Sequence, residues 1–207
     1  RYYIGSSSKK VLTGLWSLTS GTYFFDETTG AMCTGGLVTA DNGRIYYVND
    51  SGYVQTGWVT DDGFTYYFST YYKYALRGLT TISSKTYFFD EDTGILLGGG
   101  WVTAKDGHKY YLNDDGTVRT GWLTLDGKTY YLGASSKYAL TGVWSFTSGT
   151  YFFDADGVRQ TGWQTVNGST YYFDPDTGKA TTGWITDNGA RYYIGSSSKK
   201  VLTGLWS

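Results

Sequence analysis

The sequence has only one cysteine, one proline and one histidine among its 207 residues. A single thiol cannot form an intrachain disulfide, so disulfides do not hold this fold together. The one histidine, His108, follows Gly107 in a turn-like segment, and no serine or cysteine lies in a recognisable nucleophile motif. Because an active site needs several convergent groups in a pocket, we predict no enzyme activity and no cofactor.

Charge and long apolar runs are also scarce. The formal net charge is −1 and no basic block is present, which argues against a nucleic-acid partner. No apolar run approaches the length of a membrane span, so no membrane insertion is expected. No signal peptide is visible, although the chain begins at Arg1 and a signal could lie upstream. Acidic clusters such as Asp174-Pro175-Asp176 follow no calcium-loop order and suit tight turns, so no metal site is predicted.

Aromatic residues and glycine take the place of the usual aliphatic core. The chain has 22 tyrosines, 8 tryptophans and 30 glycines. A segment of about 21 residues, T-G-W-x-T-x-(D/N)-G-x-x-Y-Y-F, recurs nine times, which is typical of a repeat protein. We describe residues 1–207 as a single repeat array with partial repeats at 1–12 and 203–207. Repeats 1 to 9 begin at Thr13, Thr34, Thr56, Arg77, Gly98, Thr120, Thr141, Thr161 and Thr182.

A second periodicity groups the repeats in threes. Repeats 1, 4 and 7 share an S-x-T-Y-F-F-D core, and repeats 3, 6 and 9 share a different tail, for example Ser135–Leu140. If each repeat turns the chain by about a third of a circle, every third repeat lies on the same face. Residues Arg1–Ser17 and Arg191–Ser207 are identical, which suggests duplication of a block within a longer array.

Each repeat is predicted to form a β-hairpin. Asn-Gly or Asp-Gly dipeptides separate short β-prone runs and suit two-residue turns, in which both residues have positive φ. Adjacent residues of a strand point to opposite faces, so Tyr66 and Phe68 share one face and Tyr67 lies on the other. The partner at the Phe68 position is always apolar, which marks that face as the core. The turn dipeptides are Asn42-Gly43, Asp62-Gly63, Asp106-Gly107, Asp126-Gly127, Asn167-Gly168 and Asn188-Gly189.

The repeat motif resembles that of the cell-wall-binding repeats of Gram-positive bacteria. This family includes choline-binding modules, the glucan-binding repeats of glucansucrases and the receptor-binding repeats of clostridial toxins. Residues Thr161–Ala180 and Thr120–Leu132 carry the resemblance most clearly. It implies an all-β fold, an elongated, left-handed β-solenoid of stacked hairpins with about three repeats per turn. It also implies a secreted or cell-surface bacterial protein with shallow ligand sites between consecutive hairpins.

The resemblance departs from the choline-binding pattern at one position. Choline-type repeats carry a tryptophan before the two tyrosines of the second strand, and that ring helps to build a cage for the cation. A quaternary ammonium needs several aromatic faces, so we expect sugars rather than choline as ligands. The matching residues here are Ile45, Thr65, Lys109, Thr129, Thr170 and Arg191.

We expect a polysaccharide or cell-wall glycan, either an α-glucan or a host or bacterial surface glycan, to bind through exposed aromatic side chains. Two alternatives stay open. The same rings can serve as packing between repeats, and the array can be a stalk, spacer or filament whose chains associate head to tail. The candidates are Trp58, Trp101, Trp122, Trp163 and Trp184 at the G-W position, Tyr67, Tyr111, Tyr131, Tyr172 and Tyr193 on the second strand, and Tyr72, Tyr74, Tyr138 and Gln164.

Overall fold

The protein folds as a series of antiparallel β-hairpins. The computed structural model describes residues 1–6 and 9–203, and within these ranges it contains no helix. Each repeat supplies two strands that pair with each other, and β15 adds a short third strand beside β14. The strands are β1 (Gly14–Leu18), β2 (Gly21–Phe25), β3 (Gly36–Thr39), β4 (Ile45–Val48), β5 (Gly57–Asp61), β6 (Phe64–Phe68), β7 (Gly78–Ile82), β8 (Lys85–Phe89), β9 (Gly100–Thr103), β10 (Lys109–Leu112), β11 (Gly121–Leu125), β12 (Lys128–Leu132), β13 (Gly142–Phe146), β14 (Gly149–Phe153), β15 (Arg159–Gln160), β16 (Gly162–Val166), β17 (Ser169–Phe173), β18 (Gly183–Asp187) and β19 (Ala190–Ile194).

Four hairpins close through the predicted two-residue turn. In the β11–β12 hairpin, Asp126 has a φ of 49° and Gly127 a φ of 72°. Positive φ at both central residues is what a type I′ turn requires, and its twist matches that of the flanking strands. The same pair of values occurs at Asp62-Gly63, Asn167-Gly168 and Asn188-Gly189.

The prediction of a two-residue turn is wrong at Asn42-Gly43 and Asp106-Gly107. There only the glycine has a positive φ, 77° and 87° respectively. In the first of these hairpins the backbone N–H of Ala40 donates to the carbonyl of Arg44, which leaves three residues in the loop. A three-residue loop needs the left-handed conformation only at its last residue. The additional residue, Asp41 in this loop, is therefore the reason for the difference.

A tail after the second strand joins each hairpin to the one before it. Ala180, for example, bridges to Phe173 of its own repeat. Its N–H donates at 2.7 Å to the carbonyl of Thr150 in the preceding repeat. Backbone hydrogen bonds thus tie consecutive hairpins together. Equivalent bonds run from Val54 to Thr22, Ala75 to Ile45, Leu96 to Thr65, Val118 to Thr86, Ala139 to Lys109 and Val201 to Thr170.

The core lies on the predicted face of the second strands. Tyr66 is 5% exposed and Phe68 is fully buried, as their alternation predicts. The matching pairs Tyr110/Leu112, Tyr130/Leu132 and Tyr171/Phe173 are also buried, which confirms the assignment. Tyr192 departs from it with an exposure of 36%, although Ile194 is fully buried.

The backbone groups into two compact units. One comprises Arg1–Lys105 with Leu112–Val118, and the other comprises Asp106–Tyr111 with the residues from Arg119 onward. The first contains a core cluster of Tyr66, Phe68 and Ala75, against which Ile45, Tyr47, Val59 and Ile95 pack. The second contains a cluster of Leu140, Tyr151 and Phe153, against which Tyr131, Tyr138 and Phe146 pack. In both clusters side chains from neighbouring repeats complete the core, with Ile45, Tyr47 and Ile95 in the first and Tyr131 and Tyr138 in the second.

Candidate functional site

The G-W tryptophans pair with the second-strand tyrosines on the face opposite the core. Trp58 lies directly across the hairpin from Tyr67. Their ring centroids are 5.1 Å apart in an edge-to-face arrangement. Because successive side chains alternate between faces, the sequence pattern places these rings together in each repeat. The same pairing joins Trp122 to Tyr131 at 5.0 Å, Trp163 to Tyr172 at 4.8 Å and Trp184 to Tyr193 at 5.1 Å.

Trp58, Trp122 and Trp163 also contact the hairpin that follows each of them in the chain. The Trp58 ring lies 5.0 Å from that of Tyr87 and 5.9 Å from that of Phe89. Trp122 lies 4.9 Å from Tyr151. Trp163 lies 4.8 Å from Tyr192. The indoles therefore serve as packing between repeats, one of the alternatives that the sequence left open.

Packing leaves part of each indole in solvent. The exposed fraction is 45% for Trp58, 38% for Trp122 and 63% for Trp184. The other two G-W tryptophans are half-buried, and so are all the partner tyrosines except Tyr193, which is exposed. An aromatic ring that is held in place by its neighbours and still meets water can stack on a ligand at little entropic cost. The half-buried members are Trp101, Trp163, Tyr67, Tyr111, Tyr131 and Tyr172.

Polar groups accompany the tryptophans unevenly. The Trp163 indole N–H donates to Asp187 Oδ2 at 3.0 Å. Both residues line a shallow cavity of about 300 Å³ with Tyr192. The Arg191 guanidinium lies over the Trp184 ring, 4.5 Å from its centroid. Gln164 pairs across the hairpin with the buried Tyr171, so the structure places it on the face opposite Trp163.

Among the six residues compared above, the position that would carry a cage tryptophan holds threonine three times. The Thr65 hydroxyl lies 3.3 Å from that of Thr60 across the strands. Similar hydroxyl pairs join Thr129 to Thr124 at 3.4 Å and Thr170 to Thr165 at 3.3 Å. These threonines place hydroxyl groups beside the aromatic pairs, where a choline-binding cage would have a third aromatic ring.

A second aromatic group lies on the tails of repeats 3 and 6. Tyr72 and Tyr74 stack with centroids 5.4 Å apart, and Tyr71 meets Tyr72 edge to face at 4.8 Å. Tyr71 is the most exposed of the three, at 81%. In repeat 6 the corresponding Tyr138 stacks on His108 at 3.8 Å. The structure therefore places Tyr74 and Tyr138 beside hairpin turns of the preceding repeat, with Tyr72 stacked on Tyr74.

Trp16 and Trp144 were not among the predicted site residues. They belong to repeats 1 and 7, which share the S-x-T-Y-F-F-D core, and both indoles are 43% exposed. Each is fixed by a 2.7 Å hydrogen bond from its N–H to a backbone carbonyl, that of Thr13 or Thr141. Trp144 lines a cavity of about 260 Å³ with His108, Tyr138 and Asp156. The one signal in the sequence was a tryptophan shifted by one position from the G-W pattern.

The acidic turns are satisfied by their own backbone. Asp174 Oδ1 accepts the backbone N–H of Thr177 at 2.8 Å and its hydroxyl at 2.7 Å. These hydrogen bonds favour the ionised carboxylate and lower the pKa of Asp174. The pKa values of Asp26 and Asp90 are lowered by the same contacts from Thr29 and Thr93.

Across residues 1–6 and 9–203, no group of three or more His, Cys, Asp or Glu side chains is arranged to hold a metal ion. Over the same ranges, no helix is long and apolar enough to cross a membrane.

Known structures share this fold. The structure of CbpJ from Streptococcus pneumoniae matches with a TM-score of 0.62 and 20% identity, over 98% of this chain and 94% of that one. Choline binding protein F from the same organism, crystallised with a peptidoglycan analogue, matches with a TM-score of 0.61 and 24% identity. That match covers 99% of this chain and 85% of the other. At these identities the likeness concerns the fold alone.

Repeat models and homologous sequences identify the family. A model of the choline-binding repeat matches residues 140–182 and 160–206, and a model of a cell wall binding repeat matches residues 56–70, 99–117 and 120–135. Toxin A of Clostridium novyi is 36% identical over 111 residues, 49% of this chain and 5% of the toxin. Glucosyltransferase-S of Streptococcus mutans is 31% identical over 114 residues, 55% of this chain and 8% of that enzyme. This chain thus spans only a small part of the length of these relatives. The chain belongs to the family of cell-wall-binding and glucan-binding repeats.

Proposed function

We propose that the chain is a non-catalytic module that binds carbohydrate, in particular cell-wall polysaccharide, through its G-W tryptophans and their partner tyrosines. One observation carries the proposal. Trp58 stays 45% exposed and Trp122 stays 38% exposed, although both are also anchored by the following hairpin. A side chain needed only for packing gains nothing from leaving that much indole in water.

The chemistry of these sites suits sugar rings. The flat face of an indole can lie against the C–H face of a pyranose, and the neighbouring hydroxyl and carboxylate groups can bond its hydroxyls. Each site is shallow and weak alone. Because several sites recur along one chain, a polymer that engages them together can gain roughly 10² to 10⁴ in avidity.

The relatives support a glycan ligand without naming it. One homologous region belongs to a glucosyltransferase, and one solved structure of similar fold was determined with a peptidoglycan analogue. We propose an α-glucan or a host or bacterial surface glycan as the ligand, and a secreted or cell-surface location. Choline is disfavoured because Thr65 and its equivalents leave the aromatic cage without one of its walls.

We propose that the hairpins stack as a left-handed β-solenoid with about three repeats per turn. Two features support this arrangement. Tails such as that of Ala180 hydrogen-bond to the preceding hairpin in a regular way within each compact unit. Like sequences also return at every third repeat, as a rotation of a third of a turn per repeat would require.

A structural spacer is the second candidate function, and the contact between Trp58 and Tyr87 favours it. In that case the indoles act only as packing, and chains could also associate head to tail. The two functions differ in what the exposed indole faces do. They can be separated by substitutions that keep the packing and remove the flat ring.

Leucine is the appropriate replacement because Leu79 occupies the G-W position in repeat 4. We would measure co-sedimentation of the protein with insoluble α-glucan and with purified Gram-positive cell walls, with and without choline-bearing teichoic acid. Trp58→Leu combined with Trp122→Leu should reduce binding at least tenfold. Phe64→Lys is a matched control, because Phe64 is an exposed turn aromatic and lysine occupies its position at Lys128. Equal binding by the double variant and the wild type would favour the spacer.

A further inference from the structure

Two arginines line one cavity in the first compact unit. The cavity measures about 310 Å³ and lies between the three-residue turn of repeat 2 and the tail of repeat 3. Arg44 and Asn42 contribute from the turn, Tyr74 contributes from the tail, and Arg77 contributes from the start of repeat 4. None of these residues belongs to a G-W site.

Both guanidinium groups are held in place by uncharged partners. Arg44 lies over the Tyr74 ring with its Cζ 4.6 Å from the centroid, and its charge helps to oppose the rise in pKa that burial imposes on Tyr46. Arg77 Nη2 donates to the carbonyl of Gly43 at 2.8 Å. Among the described residues, neither arginine forms an ion pair with a carboxylate.

Two carboxylates are described at this turn, those of Glu27 and Asp41, and neither forms an ion pair with Arg44 or Arg77. Glu27 accepts the backbone N–H of Asp41, the first residue of the turn. Asp41 itself is exposed. Arginines in an open cavity that have stacking and carbonyl partners but no carboxylate partner retain most of their donors for a ligand.

An equivalent cavity lies three repeats later in the chain and is lined by different residues. There the corresponding positions hold Asp106, His108, Tyr138 and Thr141 in place of Asn42, Arg44, Tyr74 and Arg77. His108 Nδ1 lies 2.8 Å from Asp106 Oδ2. A 2.8 Å ion pair between Lys109 and Asp156 borders the same cavity. In this second cavity the protein's own carboxylates pair with the His108 imidazole and the Lys109 ammonium group.

We infer that the Arg44–Arg77 cavity binds an anionic group, a carboxylate or a phosphate, carried by a glycan. The planar guanidinium matches the two oxygens of such a group, and charge-assisted hydrogen bonds are the strong ones. Tyr74 provides an apolar surface beside it. The glycan part of this inference rests on the proposed function, whereas the requirement for an anion rests on the two arginines alone.

The test uses calorimetric titration of the whole chain with three monosaccharides: glucose, glucuronate and glucose 6-phosphate. We expect both anionic sugars to bind more tightly than glucose, with an affinity that falls as salt is raised. The relative affinities of glucuronate and glucose 6-phosphate show whether the cavity prefers a carboxylate or a phosphate. Equal affinity for all three sugars would overturn the inference.

The matched cavities supply the variants. Arg77→Thr installs the residue found at Thr141, and Arg44→Ser installs that found at Ser169 three repeats beyond His108. Each should weaken binding of the anionic sugars about tenfold, the low end for a hydrogen bond to a charged group at an exposed site. Thr141→Arg should strengthen binding at the second cavity. Unchanged affinity in Arg77→Thr and Arg44→Ser would refute the assignment.

The two proposals fail separately. Arg77→Thr should leave sedimentation with neutral α-glucan unchanged, whereas Trp122→Leu should leave binding of glucose 6-phosphate unchanged. If the wild type does not bind neutral glucan but still binds anionic sugars through these arginines, the proposal of tryptophan sites is refuted and that of an arginine site is supported. Loss of anion binding in both Trp122→Leu and Arg77→Thr would contradict a separate arginine site.

Discussion

Replacement of Trp122 separates its packing role from its binding role. Truncation of a fully buried tryptophan to alanine costs about 3–5 kcal/mol of stability. Trp122 is 38% exposed, so Trp122→Ala should cost about 2–3 kcal/mol through lost contacts with Tyr131 and Tyr151. Leucine refills much of that space and forfeits mainly the edge-to-face ring contacts, each worth about 0.5–1.5 kcal/mol. Two such contacts sum to about 1–3 kcal/mol, and because Trp122 is partly exposed we expect Trp122→Leu to lie at the lower end, about 1–1.5 kcal/mol.

Thermal unfolding followed by circular dichroism measures both variants. For a chain of this length, 1 kcal/mol corresponds to a shift of about 2–4 °C in Tm, so alanine should lower Tm by about 5–10 °C and leucine by roughly half of that. Both proteins should stay folded at room temperature, since domains have about 5–15 kcal/mol of stability. A collapse of the β signal in Trp122→Leu would refute the reasoning and make the indole chiefly a packing element. No loss in Trp122→Ala would contradict the described ring contacts.

Three further predictions concern stability. Asp174→Ala should lower Tm at neutral pH, and the difference from the wild type should vanish as the pH falls through the pKa of Asp174. The reason is that the hydrogen bonds that lower this pKa stabilise the ionised carboxylate. Thermal melts from about pH 7 to about pH 2 test this, and a difference in Tm that stays constant with pH would contradict it. Gly57→Ala should lower the free energy of unfolding by about 1–2 kcal/mol, because Gly57 has a φ of +85°. Gly116→Ala should lower it further, since the added Cβ would lie 2.9 Å from the Leu97 carbonyl oxygen. Urea unfolding of the two variants compares these losses. Phe173→Ala should cost about 3–5 kcal/mol in the same assay, because Phe173 is fully buried, and a smaller loss would show that its site collapses.

The hairpins and their buried face could be predicted because they depend on local rules. Period-two alternation assigns Tyr66 and Phe68 to the core without knowledge of any distant contact. Turn dipeptides show where six of the nine hairpins reverse. The dipeptide rule fails at Asn42-Gly43 because the preceding Asp41 lengthens the loop to three residues.

The candidate sites could be predicted only in part. Pairing of Trp58 with Tyr67 follows from strand register within one repeat, so the sequence contains it. The meeting of Arg44 with Tyr74 and that of His108 with Tyr138 depend on how a tail packs on the turn of the preceding repeat. Such contacts join residues far apart in the chain, and no local spacing rule identifies them.

A glycan array probed with the wild-type chain and with the Trp58→Leu/Trp122→Leu/Trp184→Leu variant is the most direct test of the central claim. The array should include α-glucans, host-type oligosaccharides, bacterial wall fragments and choline-bearing teichoic acid. The account predicts a specific glycan signal for the wild type that the folded variant loses, with no preference for the choline-bearing ligand. Silence of the well-folded wild type across the array, or an unchanged signal in the variant, would contradict it.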